Sequence, residues 1–455
     1  MNDPSIPFIK PNPQAPWWRA RARGARRTYA RARRGMAQAG QIKRWNSELN
    51  WREFWHGRTF LESGPRLIQV GTNWTCNLKC SFCRLTMEWT QNELKKLPAR
   101  ELQISERVFD VVRRLLPRAE MMTLTPLGEP LLWSGLGKLL DFHASVGSRN
   151  LAFTTNGMLL NERNVERIIQ GQLSHLYVSI DSNDPEIYAG MRVQGELGVV
   201  EEGVRRLAAR KQQLGLDWPR MTVNATFMKR NIPQLPSMVG WAKELGFDEI
   251  SVQLMEIENP EQEPEFLGYC PEMARENILE ALARGREIGM MVRPHLALRN
   301  LISADSEGRQ VSEHQYTAAS PIMPEERKLH GGAGDGSYAS TVTVGQADAP
   351  GCATCGAGEL ADAQHAEAER LASDPWLDMR GKTLVEKCHY PWYNLLIDTD
   401  GDARPCCWAD ASWGNLNELD FEEVWNGEKA QRMRRDFLAN HIPESCRKKH
   451  CRVDL

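Results

Sequence analysis

The sequence lacks three features that would assign it to a class at once. No apolar run approaches the ~20 residues of a membrane-spanning helix, and no apolar core of a secretory signal lies near its start. Neither positive nor negative charge is in large excess, because the chain has 57 Lys and Arg and 59 Asp and Glu, which gives a formal net charge of −2. We therefore expect no membrane span and no general attraction to nucleic acid or membrane.

Cysteine, by contrast, is plentiful, with 11 residues among the 455. Outside a reducing compartment so many thiols would be at risk of oxidation unless they were paired or metal-bound, so we expect a cytoplasmic protein. Hydrophobic residues make up 41% and charged residues 25% of the chain, which is ordinary for a soluble protein. The length predicts two or three domains with room for a large core.

Three of the cysteines, Cys76, Cys80 and Cys83, lie in a C-x3-C-x2-C spacing just after an apolar, strand-like run. A [4Fe–4S] cluster normally takes four thiolates, so three would leave one iron open to bind and reduce another molecule. A zinc knuckle or a chance spacing is the alternative. Zinc sites, however, usually need four ligands, often as paired C-x2-C units.

This segment, including the aromatic Phe82 before its third cysteine, resembles the radical S-adenosylmethionine (SAM) superfamily. The resemblance implies that the open iron binds the amino and carboxylate groups of SAM, with Phe82 near the adenine. Reduction by a donor such as flavodoxin or ferredoxin would then cleave SAM to a 5′-deoxyadenosyl radical, which removes a substrate hydrogen. The fold implied is α/β, a partial (β/α)6 barrel.

Strand-like and helix-like segments alternate from Leu67 to about Pro294, which predicts a parallel sheet. Functional residues of such barrels follow the carboxyl ends of the strands. Strands are expected at 67–72, 121–125, 150–155, 174–180, 220–227 and 248–254, and helices at about 104–117, 135–146, 161–170, 199–214, 233–245 and 271–288.

Two motifs follow the second and third predicted strands. Gly128, Glu129 and Pro130 resemble the family segment that hydrogen-bonds the SAM amino group, although Gly-Glu-Pro is also a common turn. Asn156 lies in a Thr-Asn-Gly segment that resembles the family's turn at the corresponding strand end. An ordinary Asn-Gly turn would look the same in sequence.

The fourth predicted strand leads into Ser179 and Asp181, which the resemblance places near the SAM ribose or carboxylate. Arg192 matches an arginine that commonly follows this strand and could pair with the SAM carboxylate. An ordinary helix arginine is the alternative. Met255 follows the sixth strand, where the family shapes its adenine pocket, but a core position is the simpler interpretation.

A second cysteine group lies near the end of the chain. Cys388, Gly401 and Cys406 have a C-x12-G-x4-C spacing, and Cys446 and Cys451 follow. This pattern resembles the SPASM/twitch extensions of radical SAM enzymes, in which a hairpin carries two ligands of an auxiliary [4Fe–4S] cluster. The denser seven-cysteine SPASM layout is absent, so four ligands and one cluster of the twitch form are expected. A four-cysteine zinc site is the alternative.

The remaining cysteines have less certain roles. Cys407 is an additional ligand, a hydrogen donor to a substrate radical, or merely structural, and Cys270 is a second candidate donor or a buried structural thiol. Cys352 and Cys355 form a C-x2-C pair, which is half of a metal site, and the sequence assigns them no role.

Four regions are expected: a basic, Trp-rich extension (1–66), the barrel (67–294), a linker with a Gly-rich loop (295–383) and the cluster module (384–455). The extension contains an arginine-rich block at 19–44 without an acid. It is either a solvated helix or a docking element for an acidic partner. The aromatic stretch 45–66 is expected to pack on the main domain as a cap.

The resemblance of the two cysteine groups to this family implies a radical SAM oxidoreductase. An auxiliary cluster near the substrate could take back an electron, which favours net oxidation of a small polar substrate such as a sugar or aminocyclitol. The principal alternative is a peptide maturase that makes cross-links or epimers, with the basic extension binding an acidic leader. A radical SAM methyltransferase and a non-catalytic, nucleic-acid-binding metal protein are weaker alternatives. The substrate and oligomeric state stay open.

Overall fold

The computed structural model describes residues 39–125, 127–255, 257, 260–295, 298, 388–407 and 409–447. Predictions for residues 1–38, for most of 295–383, and for Cys352, Cys355 and Cys451 concern parts of the chain outside these ranges.

One ten-stranded sheet organises the described part of the chain, in the order β12-β11-β10-β1-β3-β4-β5-β7-β8-β9. From β10 to β9, every neighbouring pair of strands is parallel. The strands are β1 (Leu67–Val70), β2 (Lys79–Cys80), β3 (Met121–Leu124), β4 (Leu151–Thr155), β5 (His175–Val178), β6 (Arg192–Val193), β7 (Arg220–Phe227), β8 (Glu249–Leu254), β9 (Met291–Pro294), β10 (Asn394–Ile397), β11 (Asp402–Arg404) and β12 (Gly414–Asn415).

The helices between the parallel strands cover the outer face of the sheet, as is usual for a parallel α/β sheet. Five apolar side chains of α3 are buried on one face, and Ser105 caps its start by accepting a hydrogen bond from the Val108 amide. The helices are α1 (Ala39–Trp55), α2 (Glu88–Leu94), α3 (Glu106–Leu115), α4 (Leu136–Val146), α5 (Glu162–Gln170), α6 (Pro185–Met191), α7 (Leu197–Leu214), α8 (Leu235–Leu245), α9 (Pro271–Ile288), α10 (Tyr390–Tyr393), α11 (Phe421–Trp425), α12 (Glu428–Leu438) and α13 (Glu444–Arg447).

The six predicted strands and six predicted helices of the barrel are all present, within a few residues of their expected bounds. A seventh parallel strand, β9, was not predicted. It has four residues and includes an arginine and a proline, which weaken the strand signal. Proline is tolerated there because β9 is the last strand of the sheet.

The predicted C-terminal hairpin is also present, formed by β10 and β11, and β12 extends it. It is not a separate sheet, because β10 pairs in parallel with β1, from Leu67 opposite Asn394 to Val70 opposite Ile397. The hairpin thus continues the barrel sheet on the side of its first strand.

The predicted aromatic cap is confirmed by α1 and the segment that follows it. Phe54 is buried, and its ring lies 5.4 Å from that of Trp392 in edge contact. Asn50 Nδ2 donates to the Trp392 carbonyl at 2.7 Å, while Asn46 Nδ2 donates to the Arg118 carbonyl at 3.2 Å. The cap therefore contacts both the barrel and the C-terminal module. Among the described residues, no helix is long and apolar enough to cross a membrane.

Candidate active site

The first cysteine group lies on the loop that leaves the carboxyl end of β1. This loop is fixed by a two-stranded antiparallel pairing of β2 with β6, in which Cys80 lies opposite Arg192. The Ser81 amide donates to the Met191 carbonyl at 2.9 Å. Thr86 Oγ1 donates to the carbonyls of Cys80 and Cys83 at 2.8 and 2.7 Å. These bonds hold the cysteine loop against the end of α6.

The thiols of this loop are shielded from solvent. Cys80 is buried, and Cys76 and Cys83 are half-buried. Burial raises the pKa of the Cys76 thiol, and it raises the pKa of Cys80 to about 11 although Arg192 opposes the shift. In the described chain, no three His, Cys, Asp or Glu side chains converge on one metal ion. A four-iron cluster does not require that convergence, since each thiolate binds a different iron. The donor set therefore fits a cluster.

The Gly128–Glu129 backbone lies directly beside the residues that lead into this loop. The Gly128 amide donates to the Asn73 carbonyl at 3.1 Å, and the Glu129 amide donates to the Thr75 carbonyl at 2.7 Å. A Cβ on Gly128 would lie 2.4 Å from the Thr75 oxygen and 2.7 Å from its nitrogen. Only glycine allows the two backbones to approach so closely, and Thr75 immediately precedes Cys76.

The Glu129 carboxylate joins the ends of β3 and β4. It is buried and accepts hydrogen bonds from Thr155 Oγ1 at 2.7 Å, the Asn156 amide at 2.8 Å and the Leu131 amide at 3.1 Å. Burial raises the pKa of this carboxyl, although the three donors oppose the shift. Since these donors come from the chain itself, a SAM amino group at this segment would meet backbone carbonyls more readily than the carboxylate.

Asn156 connects the end of β4 to the cysteine loop. Its Nδ2 donates to Asn77 Oδ1 at 2.9 Å and lies 3.8 Å from the Cys76 sulfur, while its Oδ1 accepts from the Met158 amide at 3.0 Å. Gly157 follows with φ +80°, a conformation that favours glycine. The Thr-Asn-Gly segment is thus a turn, and it also positions a side chain beside the first cysteine.

Asp181 and Arg192 form a buried ion pair beside the loop. Asp181 Oδ2 lies 2.7 Å from Arg192 Nε, and its Oδ1 accepts from the Thr226 amide at 2.8 Å. Arg192 Nη1 reaches to 3.7 Å from the Cys80 sulfur, and its guanidinium carbon lies 5.7 Å from the Phe82 ring centroid. Burial alone would lower the pKa of Arg192, but Asp181 and Cys80 together raise it above its ordinary value.

These contacts bring several sequence-predicted residues together beside the cysteine loop. Asp181 and Arg192 bind each other, and the pairing of Arg192 with the SAM carboxylate stays a prediction. Ser179 is half-buried, and its amide donates to the Thr155 carbonyl at 2.8 Å. Pro130 is buried at the start of a short 3-10 helix that Glu129 caps.

A small methionine cluster adjoins the loop. Met191, Met228 and Met255 form an apolar cluster separate from the main core, with Phe82 and Ile187 packed against it. The prediction that Met255 is a buried packing residue is confirmed, although it packs in this second cluster. Sequence reasoning missed Met191 and Met228, because isolated methionines on different elements give no pattern.

The C-terminal cysteines lie at the other end of the sheet. Cys388 precedes α10, which leads into β10, and Cys406 follows β11, which runs antiparallel to β10. Asn394 Nδ2, at the start of β10, donates to the Pro405 carbonyl at 2.6 Å, which places Cys406 near that end. The Asp410 amide donates to the carbonyl of Ser445, which precedes Cys446, at 3.0 Å. Cys388 and Cys406 therefore approach the amino end of β10.

Because β10 is parallel to β1, the two cysteine groups lie at opposite ends of the sheet: the first loop follows the carboxyl end of β1, and Cys388 and Cys406 lie by the amino end of β10. Cys270 is half-buried on the loop after β8, immediately before α9, and Cys407 is exposed.

Two family models match this chain. The model described as the radical SAM superfamily matches residues 75–242, and the model described as an iron–sulfur cluster-binding domain, SPASM, matches residues 388–452. The first matched range contains Cys76, Cys80 and Cys83. The second contains Cys388, Cys406, Cys446 and Cys451.

Curated relatives match the barrel only in part. The chain is 27% identical over 171 residues to a probable GTP 3′,8-cyclase of Methanococcus maripaludis, covering 38% of this chain and 53% of that protein. It is 29% identical over 188 residues to an AdoMet-dependent heme synthase of Methanosarcina barkeri, covering 41% of this chain and 49% of that protein. The chain thus spans about half the length of each.

Solved structures show more distant likeness. SuiB of Streptococcus suis bound to S-adenosylmethionine matches with 16% identity and a TM-score of 0.48, over 81% of this chain and 67% of that one. The structure described as native anSMEcpe with bound AdoMet matches with 13% identity and a TM-score of 0.47, over 84% of this chain and 86% of that one.

Proposed function

Since the chain belongs to the radical SAM superfamily and carries a C-terminal SPASM domain, we propose that it oxidises a small polar substrate held between its two cysteine groups. The observation that carries this proposal is their placement at opposite ends of one sheet. A substrate on the inner face of the sheet would have the SAM site beyond the sheet end that carries Cys76, Cys80 and Cys83. The electron acceptor would lie beyond the opposite end, near Cys388 and Cys406. The radical SAM domain implies a [4Fe–4S] cluster and SAM, and the SPASM domain implies auxiliary iron–sulfur centres.

Cys76, Cys80 and Cys83 would hold the SAM-binding cluster, which supplies reductive cleavage of SAM and hydrogen abstraction when bound. The other residues of the loop orient and shield this centre. The ion pair of Asp181 with Arg192 fixes a positive charge 3.7 Å from the Cys80 sulfur, which favours the thiolate form that a cluster iron would bind. Phe82 and the methionine cluster offer an apolar surface that suits the adenine.

Gly128, Glu129 and Pro130 would complete the SAM site from the β3 end, with Asn156 joining it from the β4 end. Glu129 and Asn156 are bonded to each other through the Asn156 amide, so displacement of either segment would move the other. Ser179 is the remaining candidate contact to SAM. We assign these residues to SAM binding because their strand ends meet beside the cysteine loop.

At the other end, Cys388, Cys406, Cys446 and Cys451 would hold a single auxiliary cluster of the twitch type. Soft thiolate ligands suit an electron-transfer centre, as does the partial burial of Cys388, Cys406 and Cys446. Such a centre could accept one electron from a substrate radical, so that the complete reaction removes two hydrogens. A soluble reductant such as flavodoxin or ferredoxin would deliver the starting electron in the cytoplasm.

The side chains on the inner face of the sheet are suited to a polar substrate. Alternate residues along each strand face the helices and are apolar, whereas the residues between them are largely polar and half-buried. This face differs from the apolar packing that fills a closed barrel. Examples on successive strands are Gln69, Thr123, Thr154, Tyr177, Asn224 and Gln253.

The test uses anaerobically reconstituted enzyme, SAM and dithionite, with the small-molecule and peptide fractions of a cell extract supplied separately. We expect the small-molecule fraction to stimulate 5′-deoxyadenosine formation and to yield a product lighter by two hydrogens. A Cys388→Ala/Cys406→Ala variant should still cleave SAM but release no oxidised product. If only the peptide fraction responds, the proposal gives way to a peptide maturase. Deuterium uptake from solvent without loss of hydrogen would indicate epimerisation, with Cys407 and Cys270 as candidate donors.

A further inference from the structure

Five titratable side chains from four adjacent strands meet on the inner face of the barrel. Their strand neighbours Leu176, Met221, Ile250 and Val292 are buried in the main hydrophobic core, and successive side chains of a strand point to opposite faces. The five therefore face the interior, away from the helices. They are His175 and Tyr177 on β5, Arg220 on β7, Glu249 on β8 and Arg293 on β9.

One buried carboxylate serves both arginines of this group. Glu249 is fully buried; its Oε2 lies 3.0 Å from Arg220 Nη2, and its Oε1 pairs with Arg293 Nη2. The arginine side chains remain 26% and 30% exposed. Since Arg has five N–H donors, each guanidinium retains donors beyond those that meet Glu249.

The two neighbouring rings do not supply a balancing negative charge. Burial, aided by Arg220 and Arg293, lowers the pKa of His175 to about 4, so the ring is neutral at pH 7. Burial raises the pKa of Tyr177, which keeps its hydroxyl protonated. Asp248 lies 3.9 Å from Lys211, on the adjoining helix side. The inner-face group itself thus has two positive charges and one negative charge.

We propose that Arg220 and Arg293 bind an anionic group of the substrate, a carboxylate or a phosphate, within the barrel. The proposal rests on the proposed function and specifies its substrate class. The planar guanidinium suits both groups, because it can donate two parallel hydrogen bonds to their oxygens. The neutral His175 and Tyr177 rings beside the arginines would add hydrogen-bonding groups without repelling an anion. Among the described residues, both buried His175 nitrogens lack a hydrogen-bond partner.

The strand register also sets the distance to the reaction. Arg293 lies opposite Ser251 on β8, whose last residue is Leu254. At a rise of ~3.3 Å per residue, the Arg293 backbone is about 10 Å below the carboxyl end of β8, and Glu249, the first residue of β8, is about 17 Å below it. A substrate anchored there by its anion would point its other end towards the cysteine loop. Its anionic and reacting groups would therefore be separated by several bonds.

A purely structural role makes a different prediction. If Arg220, Glu249 and Arg293 serve only to join β7, β8 and β9, replacement of an arginine should lower the free energy of unfolding. It should not change anion binding, because the parent would have no anion site. Binding of a small oxyanion separates the two roles. We would titrate inorganic phosphate and, separately, acetate into the reconstituted enzyme by calorimetry, using the parent, Arg293→Gln and Arg293→Lys.

The proposal expects saturable binding of at least one probe to the parent. The preferred probe distinguishes a phosphate from a carboxylate group. Arg293→Gln should weaken binding about tenfold or more, as expected for loss of a charge-assisted hydrogen bond, and Arg293→Lys should retain part of it. Arg284→Gln, which removes an arginine paired with Glu280 on the outer helix α9, is the control and should bind as the parent does.

Equal affinity in Arg293→Gln and Arg284→Gln, or no saturable binding of either probe to the parent, would overturn the proposal. SAM cleavage without substrate is measured in parallel and should be unchanged in the control Arg284→Gln. A parent that binds phosphate but never cleaves SAM would refute the proposed function and leave the anion site standing.

Discussion

Replacement of Gly128 by alanine tests the close approach beside the cysteine loop. The added Cβ would lie 2.4 Å from the Thr75 oxygen, 2.7 Å from the Thr75 nitrogen and 2.8 Å from the Asn73 oxygen. All three are backbone atoms, so no side-chain rotation can relieve the contact. To reach ordinary contact, near 3.4 Å, one backbone must move by about 1 Å, as overpacked sites do.

The displaced segment leads directly into Cys76. Overpacking of this kind costs ~1–3 kcal/mol, a loss that a barrel of this size survives with a lower Tm. A misplacement of ~1 Å at a reacting centre can cost about a hundredfold in rate. We therefore expect Gly128→Ala to fold, but to form 5′-deoxyadenosine from SAM about a hundredfold more slowly than the parent.

The matched control is Gly137→Ala in α4, where an added Cβ meets nothing within 4 Å. Gly137 lies in the first turn of α4, and alanine has a higher helix propensity than glycine, so this variant should keep full activity and unfold at about the same temperature as the parent. Iron content, Tm and 5′-deoxyadenosine formation are compared for both. Parent-like SAM cleavage by Gly128→Ala would show that this approach does not position the loop.

Three further predictions concern other contacts. Arg434→Met removes a buried guanidinium that donates to two backbone carbonyls, so it should lower the free energy of unfolding by about 2–4 kcal/mol in urea titrations; the exposed Arg435→Met should cost under about 0.5 kcal/mol. Asn156→Ala removes the contact near Cys76 and the bonds to Asn77 and the Met158 amide, so it should raise the KM for SAM and lower Tm by a few °C; an unchanged KM would contradict its positioning role. Burial lowers the pKa of His175 to about 4 in the fold, so below pH 6.5 the unfolded chain binds more protons than the folded chain. The free energy of unfolding therefore decreases as the pH is lowered, by up to about 3 kcal/mol at pH 4 before discount for partial exposure. His175→Gln should flatten this pH dependence between pH 7 and pH 5 in chemical denaturation, and an identical slope would refute the assignment.

The barrel was predictable because each of its elements has a strong local pattern. The strands from residue 67 to residue 254 are short apolar runs separated by amphipathic helices, such as α3 and α5, with capping residues at their starts. The predicted strand ends then located the motifs after β3, β4 and β5. The missed strand β9 shows the limit, because four residues that include Arg293 and Pro294 give almost no strand signal.

The sequence located the candidate cysteine loop at a strand end, but it could not predict the hydrogen bonds and ion pairs around that loop. The spacing of Cys76, Cys80 and Cys83 identified the loop, whereas the pairing of Asp181 with Arg192 depends on how β6 meets β2. That contact is set by tertiary packing between residues distant in sequence. The buried Arg434 was missed for the same reason, since its acceptors lie on the cap and on the segment before β10.

The attachment of the C-terminal hairpin to β1 could not be read from sequence either. The C-x12-G-x4-C spacing predicted a hairpin, and Gly401 has the positive φ of +87° that its turn requires. No local pattern states which edge of which sheet it joins. Yet the parallel pairing of β10 with β1 is what places the two cysteine groups at opposite ends.

The most direct test of two separate centres is iron and sulfide content with EPR, on anaerobically reconstituted parent and on a variant with Cys76, Cys80 and Cys83 all changed to Ala. With one four-iron cluster per cysteine group, the parent should contain about eight irons and the variant about four. The variant should form no 5′-deoxyadenosine from SAM. A variant that keeps all its iron and still cleaves SAM would contradict the assignment of these cysteines, and a variant that holds zinc in place of iron would contradict the auxiliary cluster.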